Sequence, residues 1–386
     1  MIPYSHQTID ETDIAAVSHV LRGDLITQGP TIPRFEKSVA AYCGARFAVA
    51  FANGTAALHA ACLAADLGPG DEGIVPAISF VATANCLAYV GATPQFADVS
   101  PGLPLLHRDT VLPALTPRTK ALLPVHFAGA TADLPALHTI AQAHGLTIIE
   151  DACHALGAEY WDAAGARWRR VGDCAYSRMT VFSFHPVKSI ATGEGGMVTT
   201  NDPQLYNRLA ACRHHGIVRP PADAGHPPWY YEMQTLGFNF RLTELQAALG
   251  CTQMAKLDPF ISARRARFER YCAALTDIPG IQLLAPNAET RSAQHLAVIH
   301  VTPAAQRDRL FVWLREQGIG VQLHYIPIYR HPYYQSRQPC EPRHYPNAEA
   351  YFASALSIPL FPAMTDAEQD HVIASLGAWA AQSARA

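Results

Sequence analysis

Between Ala48 and about Thr200 the chain alternates short, wholly apolar runs with helical patterns, and no other feature restricts its fold as much. AVAF precedes the stretch AALHAACLAADL, and GIVP precedes a helix expected to begin near Ser79. PQFADV, KALLPVHF, the LPALHTIAQAHG helix, LTIIEDA, MTVFSF and GGMVTTN follow. A strand that is apolar at every position must be covered on both faces, and strands separated by helices are joined by crossovers. The expected fold class is therefore α/β, with a mostly parallel central sheet covered by helices. Gly216 to Gln234 is rich in Pro, Gly and aromatics and reads as a long loop, followed by a helix from Thr243 to about Leu257. Pro259 marks a hinge. Beyond it come a helix, a strand (HLAVIHV), a helix (RDRLFVWLREQG), a strand (VQLHY), a Pro/Tyr-rich loop and a last helix after Thr365. This divides the chain into a large domain of residues 1–258, including the N-terminal segment, and a smaller C-terminal α+β domain of residues 259–386.

Composition removes several function classes. Lys and Arg number 29 against 32 Asp and Glu, for a net charge of −3 with no basic block, so no nucleic-acid partner is expected. The longest apolar stretch, Phe47 to Ala65, is interrupted by Asn53, Gly54, Thr55 and His59, which argues against a membrane span. MIPYSHQTIDETD has neither a basic nor an apolar leader region, so a cytoplasmic location is expected. The nine cysteines show no CxxC pair. Cys43, Cys62, Cys86, Cys174, Cys212, Cys251 and Cys272 sit in apolar surroundings and are expected to be reduced core residues. His154, His185, His214 and His215 lack ligand spacing, and no metal site is expected.

Three segments carry chemistry. Asn53-Gly54-Thr55 leaves a strand and opens a helix, where free N–H groups and a close backbone approach would cradle a phosphate; an ordinary glycine-containing helix cap reads the same way. Asp151 stands at the C-terminal end of a buried strand, the edge at which α/β sheets bind ligands. A carboxylate there needs a cation, which a protonated pyridine nitrogen or a structural arginine would supply. His154, three residues on, could lie near the same ligand, although a lone histidine is more often a satisfied core residue. In Ser183-Phe184-His185-Pro186-Val187-Lys188, followed by Thr192-Gly193-Glu194-Gly195-Gly196, a strand runs into a loop with one lysine in apolar surroundings. A desolvated lysine can serve as a free amine, and the glycines let backbone pack around a planar ligand. Cradle, strand-end aspartate and loop lysine occur in this order on successive α/β units.

These residues resemble the sugar aminotransferases of the DegT/DnrJ/EryC1/StrS family, which are fold-type I enzymes dependent on pyridoxal 5′-phosphate (PLP). The resemblance runs over nearly the whole chain, through LITQGPTIPRFE, NGTAALHAA, GPGDEGIVPAISFVATANC, GATPQFADV, EDACHALGA, FSFHPVKSIATGEGGMVTTND, RHHGIV, GFNFRLTELQAALG and VQLHYIPIY. It implies that Lys188 is the Schiff-base lysine and proton carrier, and that Asp151 pairs with the pyridinium. It further implies that Phe80 stacks on the ring, that Gly54, Thr55 and Ser183 hold the phosphate, and that His154 lies beside the cofactor with His185 lining the pocket. Asn239 would reach the phosphate in a neighbouring subunit, making the enzyme a homodimer. Relatives that act as 3-dehydrases carry His in place of Lys188, and a non-catalytic relative would need none of the three motifs. Two departures stand out: Asn53 replaces the usual serine, and Asp71-Glu72-Gly73-Ile74 puts a glycine where the family has valine.

Within the family, PYSHQTID and residues Val321 to Tyr329 look most like the pseudaminic-acid branch. That likeness implies L-glutamate as amino donor and, as acceptor, UDP-2-acetamido-2,6-dideoxy-β-L-arabino-hexos-4-ulose. It also implies that Tyr4, Asp24, Leu25, Ile26, Thr27, Gln322, Leu323, His324 and Tyr325 contact the UDP-linked keto-sugar. A 4-aminotransferase acting on another nucleotide-linked sugar, of the perosamine or 4-amino-arabinose type, is the alternative.

Overall fold

The computed structural model describes residues 1–221 and 225–383; residues 222–224, inside the loop expected at Gly216 to Gln234, lie outside them. Seven strands form the central sheet: β1 (Phe47–Phe51), β2 (Glu72–Pro76), β3 (Thr93–Ala97), β4 (Thr119–Leu122), β5 (Thr147–Asp151), β8 (Met179–Ser183) and β9 (Gly196–Thr200). A hairpin of β6 (Glu159–Asp162) and β7 (Arg167–Arg170) stands apart. The sheet order is β1-β9-β8-β5-β4-β2-β3, and every neighbouring pair is parallel except those made by β9, which runs antiparallel to both β1 and β8. The expected mostly parallel, doubly covered sheet is thus observed. Strands such as β2 and β9 are buried at every position, because helices cover both faces. On one side lie α3 (Gly54–Ala64), α4 (Ala82–Tyr89) and the helix Pro203–Arg213. On the other lie α2 (Thr31–Cys43) and the helix Glu244–Ala255. The first helix, α1 (Glu11–Leu21), packs on Glu244–Ala255 through buried Asp13, which accepts from Thr252 and Lys256.

A second core gathers the antiparallel strands Ile281–Leu283, Ala297–Val301 and Ala355–Ile358 with the helices Leu257–Leu275, Arg307–Glu316 and Asp366–Ser383. The expected boundary after residue 258 falls inside the first of these helices. Ile2 donates to the Gly318 carbonyl and accepts from Gly320, and Tyr4 accepts from Leu360, so the N-terminal segment runs along this second core. Three expectations change. The helix assigned near Ser79 begins at Ala82. VQLHY is not a strand: only Gln322 bridges, to Ser357, and beyond it His324 and Tyr325 both turn inward instead of alternating. Cys272 is exposed; the nine cysteines are all free. The helix begun at Thr243 is capped there by the reciprocal Thr243–Gln246 pair. Among the described residues no helix is long and apolar enough to cross a membrane.

The glycine at the entrance of β2 has a packing cause. A Cβ on Gly73 would stand 2.6 Å from Leu87 Cδ1 and 3.2 Å from Leu123 Cδ1. The side chain of Leu87, delivered by α4, fills the place a valine would take. Gly73→Val should therefore destabilise the fold by about 1–3 kcal/mol through overpacking, and should cost clearly less in a Leu87→Ala background. Urea unfolding of the four proteins of this double-mutant cycle checks it; additive costs would refute the shared space.

Candidate functional site

The C-terminal ends of β1, β2, β5 and β8 share one edge of the sheet, and the turns leaving them carry most of the chemistry-bearing side chains. After β1, Asn53 caps α3 by accepting from Ala56 N–H at 2.8 Å. Asparagine thus does the capping work of the serine it replaces. The first-turn N–H groups of α3, at Gly54 and Thr55, face this edge with the positive end of the helix dipole. Close approach is obligatory here. A Cβ on Gly196 would lie 2.4 Å from Asn53 O and 2.8 Å from Gly54 N, and one on Gly54 would lie 3.0 Å from Ser183 Cβ. The cradle and the Ser183 hydroxyl therefore sit side by side, as a phosphate site requires.

Asp151 ends β5 and is 5% exposed. Its Oδ2 accepts from Thr83 Oγ1 at 2.7 Å and its Oδ1 from Cys153 N–H at 3.2 Å. It forms no ion pair among the described residues, so the arginine partner that would make it purely structural is not there. A carboxylate held by two neutral donors retains capacity for a cation aimed at its open side.

Lys188 lies in the loop joining β8 to β9. Phe184 N–H to Gly195 O and Thr192 N–H to Phe184 O, each 2.9 Å, close the base of this loop, and Lys188 N–H bonds His185 O at 2.9 Å. Buried Phe184 packs on Phe35, ring centres 5.1 Å apart. The half-buried Lys188 ammonium is pushed below its ordinary range, chiefly by desolvation; Cys153 and Asp151 pull it upward and Arg264 pushes it down. This is the direction a nucleophilic amine needs.

Three buried imidazoles and a tyrosine enclose the same region. His154 accepts from Ala128 N–H at its Nδ1 (3.3 Å), so the neutral ring carries its proton on Nε2, which faces the Tyr325 hydroxyl at 3.2 Å. His295 packs against His154 with ring centres 4.3 Å apart. His324 Nδ1 meets Ser357 Oγ at 2.8 Å. Burial drives His154 and His295 well below the usual imidazole range and His324 down to about 3. Burial also raises the Tyr325 phenol, keeping it protonated. Tyr4 stacks obliquely on His324 at 5.3 Å.

The structure thus brings together Gly54, Thr55, Asp151, His154, Ser183, Lys188, Tyr4, His324 and Tyr325. Phe80, 55% exposed, presents a free ring face 5.8 Å from the Tyr325 ring. Other expected residues stand further out. His185 and Gln322 are exposed, and Leu323 is half-buried with its N–H on Gln322 Oε1. Asp24, Leu25, Ile26 and Thr27 form an exposed loop tied to Glu244–Ala255 by Glu244 N–H on Ile26 O. Asn239 is exposed, bridged through its backbone to His214. Sequence reading missed Thr83, His295 and Arg264. Thr83 and Arg264 look like ordinary helix residues, and only the strand motif HLAVIHV hinted that His295 faces the core.

The chain is similar to known proteins over nearly its whole length. A model of the DegT/DnrJ/EryC1/StrS aminotransferase family matches residues 7–377. The spore coat polysaccharide biosynthesis protein SpsC of Bacillus subtilis is 37% identical over 96% of this chain and 95% of its own length. Helicobacter pylori PseC, an aminotransferase involved in pseudaminic acid biosynthesis, superposes with a TM-score of 0.90 at 29% identity, over 99% of each chain. Spr1654 of Streptococcus pneumoniae, assigned as a sugar aminotransferase, is 27% identical; its PLP form covers 99% of each chain with a TM-score of 0.90, and its PMP form covers 99% of this chain and 100% of its own with a TM-score of 0.91.

The buried imidazoles set a pH dependence with a defined sign. They are neutral in the folded chain, so the unfolded chain takes up their protons first as pH falls through the ordinary value of 6.5. Stability is full above that value and declines below it, down to about 3 for His324. Urea titrations should show lower stability at about pH 5.5 than at about pH 7.5, each such group contributing up to about 1.4 kcal/mol per pH unit. A flat profile over this interval would contradict the neutral, buried state.

Proposed function

Because the chain belongs to the DegT/DnrJ/EryC1/StrS aminotransferase family, we propose that it transfers the amino group of L-glutamate to C4 of UDP-2-acetamido-2,6-dideoxy-β-L-arabino-hexos-4-ulose, giving UDP-4-amino-4,6-dideoxy-N-acetyl-β-L-altrosamine. The coarser statement rests on the family and its solved members: this is a PLP-dependent sugar transaminase of fold type I. The observation that carries the reading is the convergence, on one sheet edge, of an anion cradle, a buried carboxylate with no cationic partner among the described residues and a desolvated lysine.

These residues fit the cofactor. Gly54 and Thr55 N–H groups and the Ser183 hydroxyl would hold its phosphate, Asp151 would pair with its ring nitrogen, and Phe80 and His154 would flank its ring. When bound, PLP supplies an electron sink that acidifies the C–H next to the transferred nitrogen. Lys188 holds the cofactor at rest. Once displaced, its Nζ takes the proton from Cα of glutamate in the first half-reaction and delivers a proton to C4 of the sugar in the second. Burial lowers that amine from the ordinary lysine range, the direction that favours its free form. Neutral His154 and protonated Tyr325 add no charge that would compete with Asp151.

Tyr4, His324 and Tyr325, grouped beside His154, together with Gln322, Leu323, His185 and the loop Asp24 to Thr27, receive the nucleotide-sugar in this reading. The enzyme acts as a homodimer in which Asn239 completes the neighbouring site. Support comes from the loop before Asn239, which exposes Trp229, Met233 and Leu236, apolar surface of the kind a subunit contact covers. A cytoplasmic location suits nine free cysteines. The second reading is a 4-aminotransferase for another nucleotide-linked 4-keto-6-deoxy sugar, of the perosamine or 4-amino-arabinose type. The higher identity to the spore coat relative, 37% against 29%, favours keeping it.

Lys188→Ala should abolish turnover in a folded protein, and borohydride reduction of the wild type should attach cofactor to the Lys188 peptide. Asp151→Asn should lower kcat by at least about a hundredfold. For the substrate, the glutamate-treated enzyme is freed of glutamate and offered candidate keto-sugars one at a time while the cofactor absorption is followed. Fastest recovery with the L-arabino sugar supports the proposal; recovery only with a D-configured or GDP-linked sugar selects the second reading.

A further inference from the structure

Arg264, midway along the helix Leu257–Leu275, is 1% exposed. A buried guanidinium normally meets a carboxylate, since an unpaired interior charge costs several kcal/mol. Arg264 has no such partner among the described residues. Its Nη1 donates to Leu360 O at 2.8 Å and to His295 O at 3.3 Å, and its Nη2 donates to Val187 O at 3.4 Å. Its Nε has no hydrogen-bond partner among the described residues. Burial pushes the group down to about 10, far enough above neutrality for it to keep its charge.

The three carbonyls are not arbitrary. Leu360 N–H bonds Tyr4 O, so this end of the fork steadies the N-terminal segment. His295 lies against His154. Val187 is the residue before Lys188, and its carbonyl also accepts from Ser5 Oγ at 3.2 Å. Lys188 and Arg264 line one small cavity of about 10 Å3 together with Thr8, whose Oγ1 is likewise buried without a partner.

We propose that Arg264 is a positioning residue for Lys188: its fork fixes the Val187 carbonyl, and with it the peptide carrying the reactive lysine, while its uncompensated charge opposes charge on the neighbouring amine. The inference rests on Lys188 being the lysine that holds the cofactor. The groups around the amine are Asp151 at the end of β5, Cys153 just beyond it, the imidazoles of His154, His295 and His324, and Arg264. The imidazoles are neutral. Asp151 and Cys153 favour the ammonium. Desolvation and Arg264 oppose it, and Arg264 alone does so with a fixed charge. This accounts for a buried cation that no acid among the described residues neutralises.

The test uses the glutamate-treated holoenzyme, in which Lys188 is free. Brief acetylation with acetic anhydride at a series of pH values, read by mass spectrometry of the Lys188 peptide, reports the pH midpoint of the amine. Arg264→Met should raise that midpoint, so that labelling near pH 8 falls severalfold, about tenfold for every whole pH step by which the midpoint rises. Arg264→Lys, which keeps the charge and loses the fork, should keep the midpoint and lower kcat at unchanged KM. Should Arg264→Met not fold, Arg264→Gln carries the same expectation. An unchanged midpoint in a folded, uncharged variant overturns the electrostatic role. Wild-type kcat in Arg264→Lys overturns the positioning role. Borohydride labelling of a lysine other than Lys188 in the wild type would instead overturn the reading on which the proposal rests.

Discussion

Two adjacent carboxylates at the end of β5 are both buried, and the difference in how they are held organises the site. Glu150, 1% exposed, is saturated by the protein: it accepts from His126 Nε2 at 2.7 Å, from Thr180 Oγ1 at 2.8 Å and from Ser177 Oγ. His126 is fixed in turn by Ala132 N–H on its Nδ1. Asp151, its neighbour, points to the other face of the strand and receives only Thr83 and one backbone N–H. A fully satisfied carboxylate is structure. A partly satisfied one in the same low-dielectric strand end is a standing demand for a cation, which the proposed pyridinium nitrogen would meet.

Around that demand the protein keeps other charge scarce. Desolvation leaves His154, His295 and His324 neutral and the Tyr325 phenol protonated. Among the described residues the charged groups that remain are Asp151, Lys188 and the fork of Arg264. With so few charges, each acts over a longer range than it would in water. The amine is accordingly pushed below the ordinary lysine range. At the turn after β1 the close packing of Gly196 and Gly54 leaves backbone dipoles, rather than side-chain cations, to face the proposed phosphate.

Much of this was legible in the chain. Apolar runs separated by helical patterns specify a covered parallel sheet, because burial on both faces tolerates no polar alternation. The turn after β1, the acid ending β5 and the lysine after β8 could be placed on the correct sheet edge from that pattern. The sugar-aminotransferase family was visible in the motifs themselves. What escaped was either lateral or long-range. β9 reverses direction although its sequence reads like its parallel neighbours, since burial pattern carries no information on strand polarity. VQLHY has strand composition, yet His324 and Tyr325 both turn toward the site because Ser357 and His154 offer them partners there.

The amino-acid sequence by itself determined the fold class, the turn that opens α3, and the presence of one strand-end acid and one loop lysine, because hydrophobic period and turn chemistry act over a few residues. The tertiary structure decided which groups surround that lysine. Arg264 and His295 come from the second core, Tyr4 from the N-terminus and Thr83 from α4. Charge state and hydrogen-bond tautomer depend on neighbours that meet only after the two cores have closed on each other.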